Sequence, residues 1–164
     1  MKTHLNQVRP RPGRSAGRMY KREGVTMQAQ PPPAALCRIR VKPRHCDTQG
    51  MVHAIRYYEF FEDGFLEWLD WFAGGYAKIR ADGVDLVVRA NGCDYRGSAR
   101  LDDTLAVEIA PTHAGRSSLS MSFTVRRGGE DGIIAIGYAT YVAVADDGAV
   151  ELPGRVRQMV GHLA

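Results

Sequence analysis

Residues 44–73 read RHCDTQGMVHAIRYYEFFEDGFLEWLDWFA, and this stretch decides the fold. Its second part carries a helical pattern. Ile55, Tyr58, Phe65, Trp68, Leu69 and Phe72 fall at spacings that suit 3.6 residues per turn. Glu59, Glu62, Glu67 and Asp70 take much of the remaining face, while Tyr57, Phe60, Phe61 and Trp71 widen the apolar arc. The pattern predicts a helix over Ile55–Ala73, about 28 Å long, with an apolar surface so broad that other structure must enclose it. Gly64 inside it costs about 1 kcal/mol relative to Ala, which points to a close approach of another element. Gly74-Gly75 stops it.

Upstream, Cys37, Ile39 and Val41 alternate with Arg38, Arg40 and Lys42, the period of a strand with one buried face. Pro43 ends that strand or sits at a sheet edge. Downstream, Val84–Tyr95 is β-rich. Leu105, Val107 and Ile109 alternate with polar or small residues, as do Leu119, Met121, Phe123 and Val125. Residues 134–144 are apolar or small on both faces, as a central strand requires. The links between these strands are too short for crossover helices, so the pairing is antiparallel. Residues 155–163 are a candidate for a short terminal helix. The expectation is an α+β domain over 35–164, with five strands and one long helix covering one sheet face. Homodimerisation is the simplest way to cover what remains.

The chain has 164 residues, 45% hydrophobic and 24% charged, the balance of an ordinary soluble globular protein. No run approaches the roughly 18 apolar residues of a membrane span. Its net charge of +4 is unevenly placed. Residues 1–35 hold seven Lys or Arg against one acid; the rest hold fifteen basic and seventeen acidic groups. The basicity is therefore not a stripe on the folded surface, which argues against nucleic-acid binding. Residues 1–34, rich in Arg, Pro, Gly and Gln, read as a disordered basic extension; a transit peptide, a start at Met27 or an electrostatic arm are the other options. Three cysteines (Cys37, Cys46, Cys93) without C-x-x-C spacing suit a reducing compartment, hence a cytoplasmic location.

The candidate chemistry sits in the loop before the helix. Asp47 lies just upstream of a helix N-terminus, whose first-turn N–H groups, near His53, Ala54 and Ile55, lack internal partners. With the helix dipole they can stabilise an oxyanion, and a carboxylate beside them can attack a carbonyl or activate water. The competing interpretation is a plain turn, with Asp47 bonded to its own loop and Gly50 at positive φ; the bare D-x-x-G pattern favours it. An Asp47 carboxylate turned into its own loop with no cleft beside it would leave only that turn. His45 and His53 flank Asp47 and either orient it or are ordinary loop residues. Cys46 reads as inert. No spacing makes a metal site, and there is no G-x-S-x-G elbow, P-loop or dinucleotide fingerprint. The turn His113–Ser118, with Arg116 and Ser117, is a phosphate cradle or a solvated turn.

His45-Cys46-Asp47-Thr48-Gln49-Gly50-Met51-Val52, followed by Tyr57-Tyr58-Glu59-Phe60-Phe61-Glu62, resembles the 4-hydroxybenzoyl-CoA thioesterase family of hotdog-fold proteins. Residues 93–105 resemble that family's central strand, turn and next strand, and Gly115-Arg116-Ser117-Ser118 its CoA-phosphate turn. The similarity runs from about Leu36 to Val144. It implies a five-stranded antiparallel sheet wrapped round the helix, a dimer with a continuous sheet or a dimer of dimers (a homotetramer), and active sites at the dimer interface. It implies Asp47 as nucleophile or general base, the Ala54 N–H as the group polarising the thioester, and His53 as a further catalytic candidate. Gly50, Met51 and Val52 belong to the binding loop, the helix of the partner subunit lines the acyl pocket with Tyr57, Tyr58 or Phe61 as walls, and Arg116 and Ser117 belong to the phosphate site.

Two positions depart from the pattern. Ala54 stands where many members have His, and Arg56 where they have Asn. The implied activity is hydrolysis of an acyl-CoA thioester, with no metal or redox cofactor, CoA being part of the substrate, and with neither nucleic acid nor membrane as partner. Alternatives are an acyl-carrier-protein thioesterase, a hydratase or dehydratase using Asp47 with His53, and a non-catalytic acyl-CoA-binding module.

Overall fold

A computed structural model describes residues 34–128, 132–146, 148–160 and 163. The expectation for residues 1–33 lies outside them. The order is β1 (Ala35–Arg40), a 3-10 turn (Pro43–His45), α1 (Arg56–Ala73), α2 (Tyr76–Ala81), β2 (Asp85–Tyr95), β3 (Thr104–Ala114), β4 (Ser118–Arg127), β5 (Ile133–Ala145), β6 (Gly148–Ala149) and α3 (Gly154–Val160). The strands form one antiparallel sheet in the order β1-β3-β4-β5-β2, with β6 paired to β5. Sheet and helix are as the sequence predicts. The additions are α2, which follows the Gly74-Gly75 stop at once, and the two-residue β6, which makes a sixth strand. The 3-10 turn takes up Pro43, which ends β1 two residues early.

The helix starts at Arg56, with Ile55 as its N-cap, and ends on left-handed Gly74. It lies across the inner sheet face and buries Tyr57, Phe60, Phe61, Phe65, Trp68 and Leu69 against inward residues of β3, β4 and β5. Two glycines make this approach possible. A Cβ on Gly64 would sit 2.9 Å from Ile109 of β3. A Cβ on Gly137 of β5 would sit 2.3 Å from the Phe61 ring, which stacks on Phe123 with ring centres 4.8 Å apart. The inner face of β5 thus runs Ala135, Gly137, Ala139, Tyr141, Ala143, small residues under a crowded helix with one tyrosine among them. Strands β1 and β2 are the sheet's edges, and β2 exposes Val87 and Val88 on the outer one. No helix among the described residues is long and apolar enough to cross a membrane.

Candidate active site at the helix start

The Asp47 loop is a tight hairpin held at its base by a bridge between Cys46 and Val52. Asp47 N–H donates to Met51 C=O (2.8 Å) and Gly50 N–H to Asp47 C=O (3.1 Å), with Gly50 at φ +73°. The loop is sewn to the β2–β3 connection. Val52 N–H donates to Ala99 C=O (2.8 Å), and Met51 bridges Arg100. Val52 is buried, Met51 half-buried and Gly50 exposed.

His45 anchors the loop from below. It is 4% exposed, its ring edge meets Phe60, and its Nδ1 accepts the Lys42 N–H (3.1 Å). Its C=O accepts the His53 N–H (2.9 Å). Burial, and after it the neighbouring Arg44, push its pKa below the ordinary histidine value.

The half-buried Asp47 turns Oδ1 into its own loop, accepting the N–H groups of Gln49 (2.8 Å) and Met51 (3.3 Å). Its Oδ2 has no partner among the described residues, and Asp47 lines neither the cavity described below nor the grooves between β1 and α1 and between α2 and the end of β5. The turn is therefore real, and none of these three cavities reaches this carboxylate.

At the helix start most donors are taken. His53 N–H goes to His45, Arg56 N–H to His53 C=O (2.9 Å), and Ile55 N–H to His53 Nδ1 (3.2 Å). The His53 ring thus holds the amide of the N-cap residue, two positions further on. Only the Ala54 N–H in this group has no acceptor among the described residues. Arg56, which would put positive charge at a helix N-terminus, is paired with Glu59. A contact absent from the sequence-based site fixes Ala54: Tyr95, at the end of β2, donates its hydroxyl to Ala54 C=O (2.9 Å). Its ring packs edge-on against Tyr57, and desolvation with the adjacent Cys93 pushes its pKa well above the tyrosine value, so it remains a donor. Forty-one residues separate the partners, so no local pattern could have signalled the bond.

Beside this start, a cavity of about 400 Å³ opens between α1, α2 and the β2–β5 pair. It begins at Ile55 and is walled by Tyr58, Phe61, Phe65, Leu66, Tyr76, Leu86, Val88, Ala139 and Tyr141, with Glu59, Glu62 and Asn91 as its other polar lining. Tyr58 and Phe61 line this cavity within their own chain, whereas Tyr57 is 2% exposed and packs on Phe60 and Tyr95.

Arg116 and Ser117 lie elsewhere. Ser118 pairs with Val142 on β5, and Ser117 C=O accepts the Ala143 N–H, whereas Tyr95, beside Ala54, pairs with Ala135. Seven residues of β5 separate the two levels, about 23 Å. Within one chain, the phosphate-turn candidates and Asp47 do not form one site.

Comparison with known proteins adds the family. The thioesterase superfamily model matches residues 49–134, beginning two residues after Asp47. A curated protein of Aquifex aeolicus named "Putative esterase" is 27% identical over 123 residues, covering 75% of this chain and 94% of that protein. A crystal structure of a hypothetical protein from Aquifex aeolicus superposes with a TM-score of 0.72 at 26% identity, covering 76% of this chain and 98% of the other. A 1,4-dihydroxy-2-naphthoyl-CoA thioesterase from Synechocystis superposes with a TM-score of 0.73 at 16% identity, covering 80% and 98%, a likeness of fold. With a curled antiparallel sheet around one long helix and a family match over more than half its length, the chain belongs to the thioesterase superfamily and is a hotdog-fold thioester hydrolase.

Proposed function

We propose that the protein hydrolyses an acyl-CoA thioester, with Asp47 as nucleophile or general base and the Ala54 N–H polarising the carbonyl. The observation that carries this is the free Ala54 N–H, left over where its neighbours' amides are all taken and tied in place through Tyr95. A donor held at a helix N-terminus stabilises the oxyanion that forms when a thioester carbonyl is attacked. Asp47 keeps Oδ2 for the chemistry while Oδ1 fixes its loop.

The cleft at Asp47 is completed, in this proposal, by a second copy. Strand β2 is an exposed edge of 11 residues. Antiparallel pairing of two β2 edges about a two-fold axis sets the Asp85 end of one opposite the Tyr95 end of the other. That brings Arg116 and Ser117 of the second copy, which lie beside the start of its β2, towards Ala54 of the first. The acyl group then lies in the cavity along α1, and the CoA phosphates reach the second copy's turn. The resulting dimer, or dimer of dimers, carries two composite sites per pair.

The test is thiol release by the full-length protein on short, medium, long and aromatic acyl-CoAs beside the same acyl groups on a carrier protein, with its mass in solution measured in parallel. The proposal expects turnover on CoA esters by a dimer or larger assembly. A monomer, or turnover on carrier-protein thioesters alone, contradicts it.

A further inference from the structure

Among the polar groups that line the cavity along α1, Tyr141 stands out as nearly buried and unused by the proposed chemistry. Tyr141 is 5% exposed, and its ring lies flat on Phe65 with centres 3.7 Å apart. It lines the cavity, and its hydroxyl has no hydrogen-bond partner among the described residues. A buried tyrosine normally satisfies its hydroxyl. Yet no polar side-chain atom among the described residues is both fully buried and unpartnered, so this one keeps access to the cavity space.

Two rulers place it far from the thioester. From Ile55 to Phe65, against which Tyr141 packs, is ten residues of helix, about 15 Å. From Ala135, level with Tyr95 and Ala54, to Tyr141 is six residues of strand, about 20 Å. The wall between is largely apolar, interrupted by Glu59, Glu62 and Asn91, with small Ala139 leaving the space open between Phe61 and Tyr141.

We infer that Tyr141 is a specificity residue, and that the acyl group this cavity takes is long enough to span that distance and carries a neutral oxygen, hydroxyl or oxo, near its far end. Burial, and after it the charge of Glu62, raise the Tyr141 pKa, so the hydroxyl is a donor throughout the physiological range. A plain hydrocarbon leaves that donor unpaired in an apolar site, which costs affinity. A terminal carboxylate would pair with the hydroxyl but meets Glu62, a further lining residue without an ion pair among the described residues, and is disfavoured by like charge.

This rests on the cavity being the acyl site, so the test separates binding from turnover. Non-hydrolysable thioether analogues of CoA are titrated calorimetrically into the full-length protein: an alkyl chain long enough to reach Tyr141 plain, with a distal hydroxyl, and with a distal carboxylate. The expected order is hydroxyl tighter than plain by roughly tenfold, the strength of one neutral hydrogen bond, with carboxylate weakest. Tyr141→Phe, which keeps the ring stack, brings hydroxyl and plain to equal affinity. Tyr138→Phe, on the outer face of the same strand, leaves the ratio intact. Equal wild-type affinities, a ratio that survives Tyr141→Phe, or no binding of any analogue would overturn the inference. Thiol release from the matching thioesters, measured separately, reports on hydrolysis whatever the selectivity.

Discussion

The hydroxyl of Tyr95 donates to the Ala54 carbonyl at 2.9 Å, tying the last residue of β2 to the peptide that precedes α1. The bond restrains the residue whose own N–H is free. Tyr95→Phe removes it and keeps the ring against Tyr57. The expected result is a fall in kcat of roughly tenfold, the worth of one neutral hydrogen bond, with KM little changed, because the effect is on orientation in the transition state. A rise in KM at constant kcat would assign Tyr95 to substrate binding instead.

A composite site makes a complementation prediction. Asp47→Asn and Arg116→Ala are each expected to impair the homo-oligomer, the second chiefly through KM for CoA esters. Co-refolded, random pairing gives half heterodimers, each with one intact site of two, so activity returns to about a quarter of wild type. Activity that is no more than the sum of the two variants would place both residues in the same chain's site.

Acidification acts through His45. Its buried ring accepts the Lys42 N–H through Nδ1 and so must be neutral there, and its pKa lies below the unfolded value of about 6.5. Above pH 6.5 both states are neutral and the full stability is present. Below it the unfolded chain takes up a proton first, so stability falls as pH drops towards the folded pKa. The melting temperature of wild type should therefore decline between pH 7 and 5 more steeply than that of His45→Gln. Equal slopes would mean that His45 titrates alike in both states.

Packing beneath the helix is tightest at Gly137. A methyl there would meet the Phe61 ring, itself wedged on Phe123. Gly137→Ala should cost about 1–3 kcal/mol by overpacking and narrow the cavity wall that Phe61 forms. Chemical denaturation measures the cost, and Gly137→Ala with Phe61→Leu should recover part of it. A neutral single variant would show that Phe61 moves freely.

Much of this was legible along the chain because the informative residues are neighbours. The apolar arc of Ile55–Ala73, its Gly74-Gly75 stop and the period-two strands each lie within one element, where periodicity acts. Asp47 and Gly50 marked the loop for the same reason. What was hidden depends on register. That Tyr95 reaches Ala54, that Tyr141 sits on the cavity wall, and that Arg116 lies about 23 Å along β5 from the level of Ala54 all follow from how β2, β4 and β5 align. Tyr57 and Tyr58 are adjacent and equally aromatic; only the helix's rotation against the sheet sends one into the core and the other to the cavity.

The most direct measurement is thiol release by Asp47→Asn on the best acyl-CoA. Asparagine keeps an Oδ1 to accept the Gln49 and Met51 amides, so the loop survives while the charge is lost. The account predicts an unchanged melting temperature and a kcat lower by roughly 10²–10⁴-fold. Full activity in this variant would leave Asp47 as a turn residue and contradict the account.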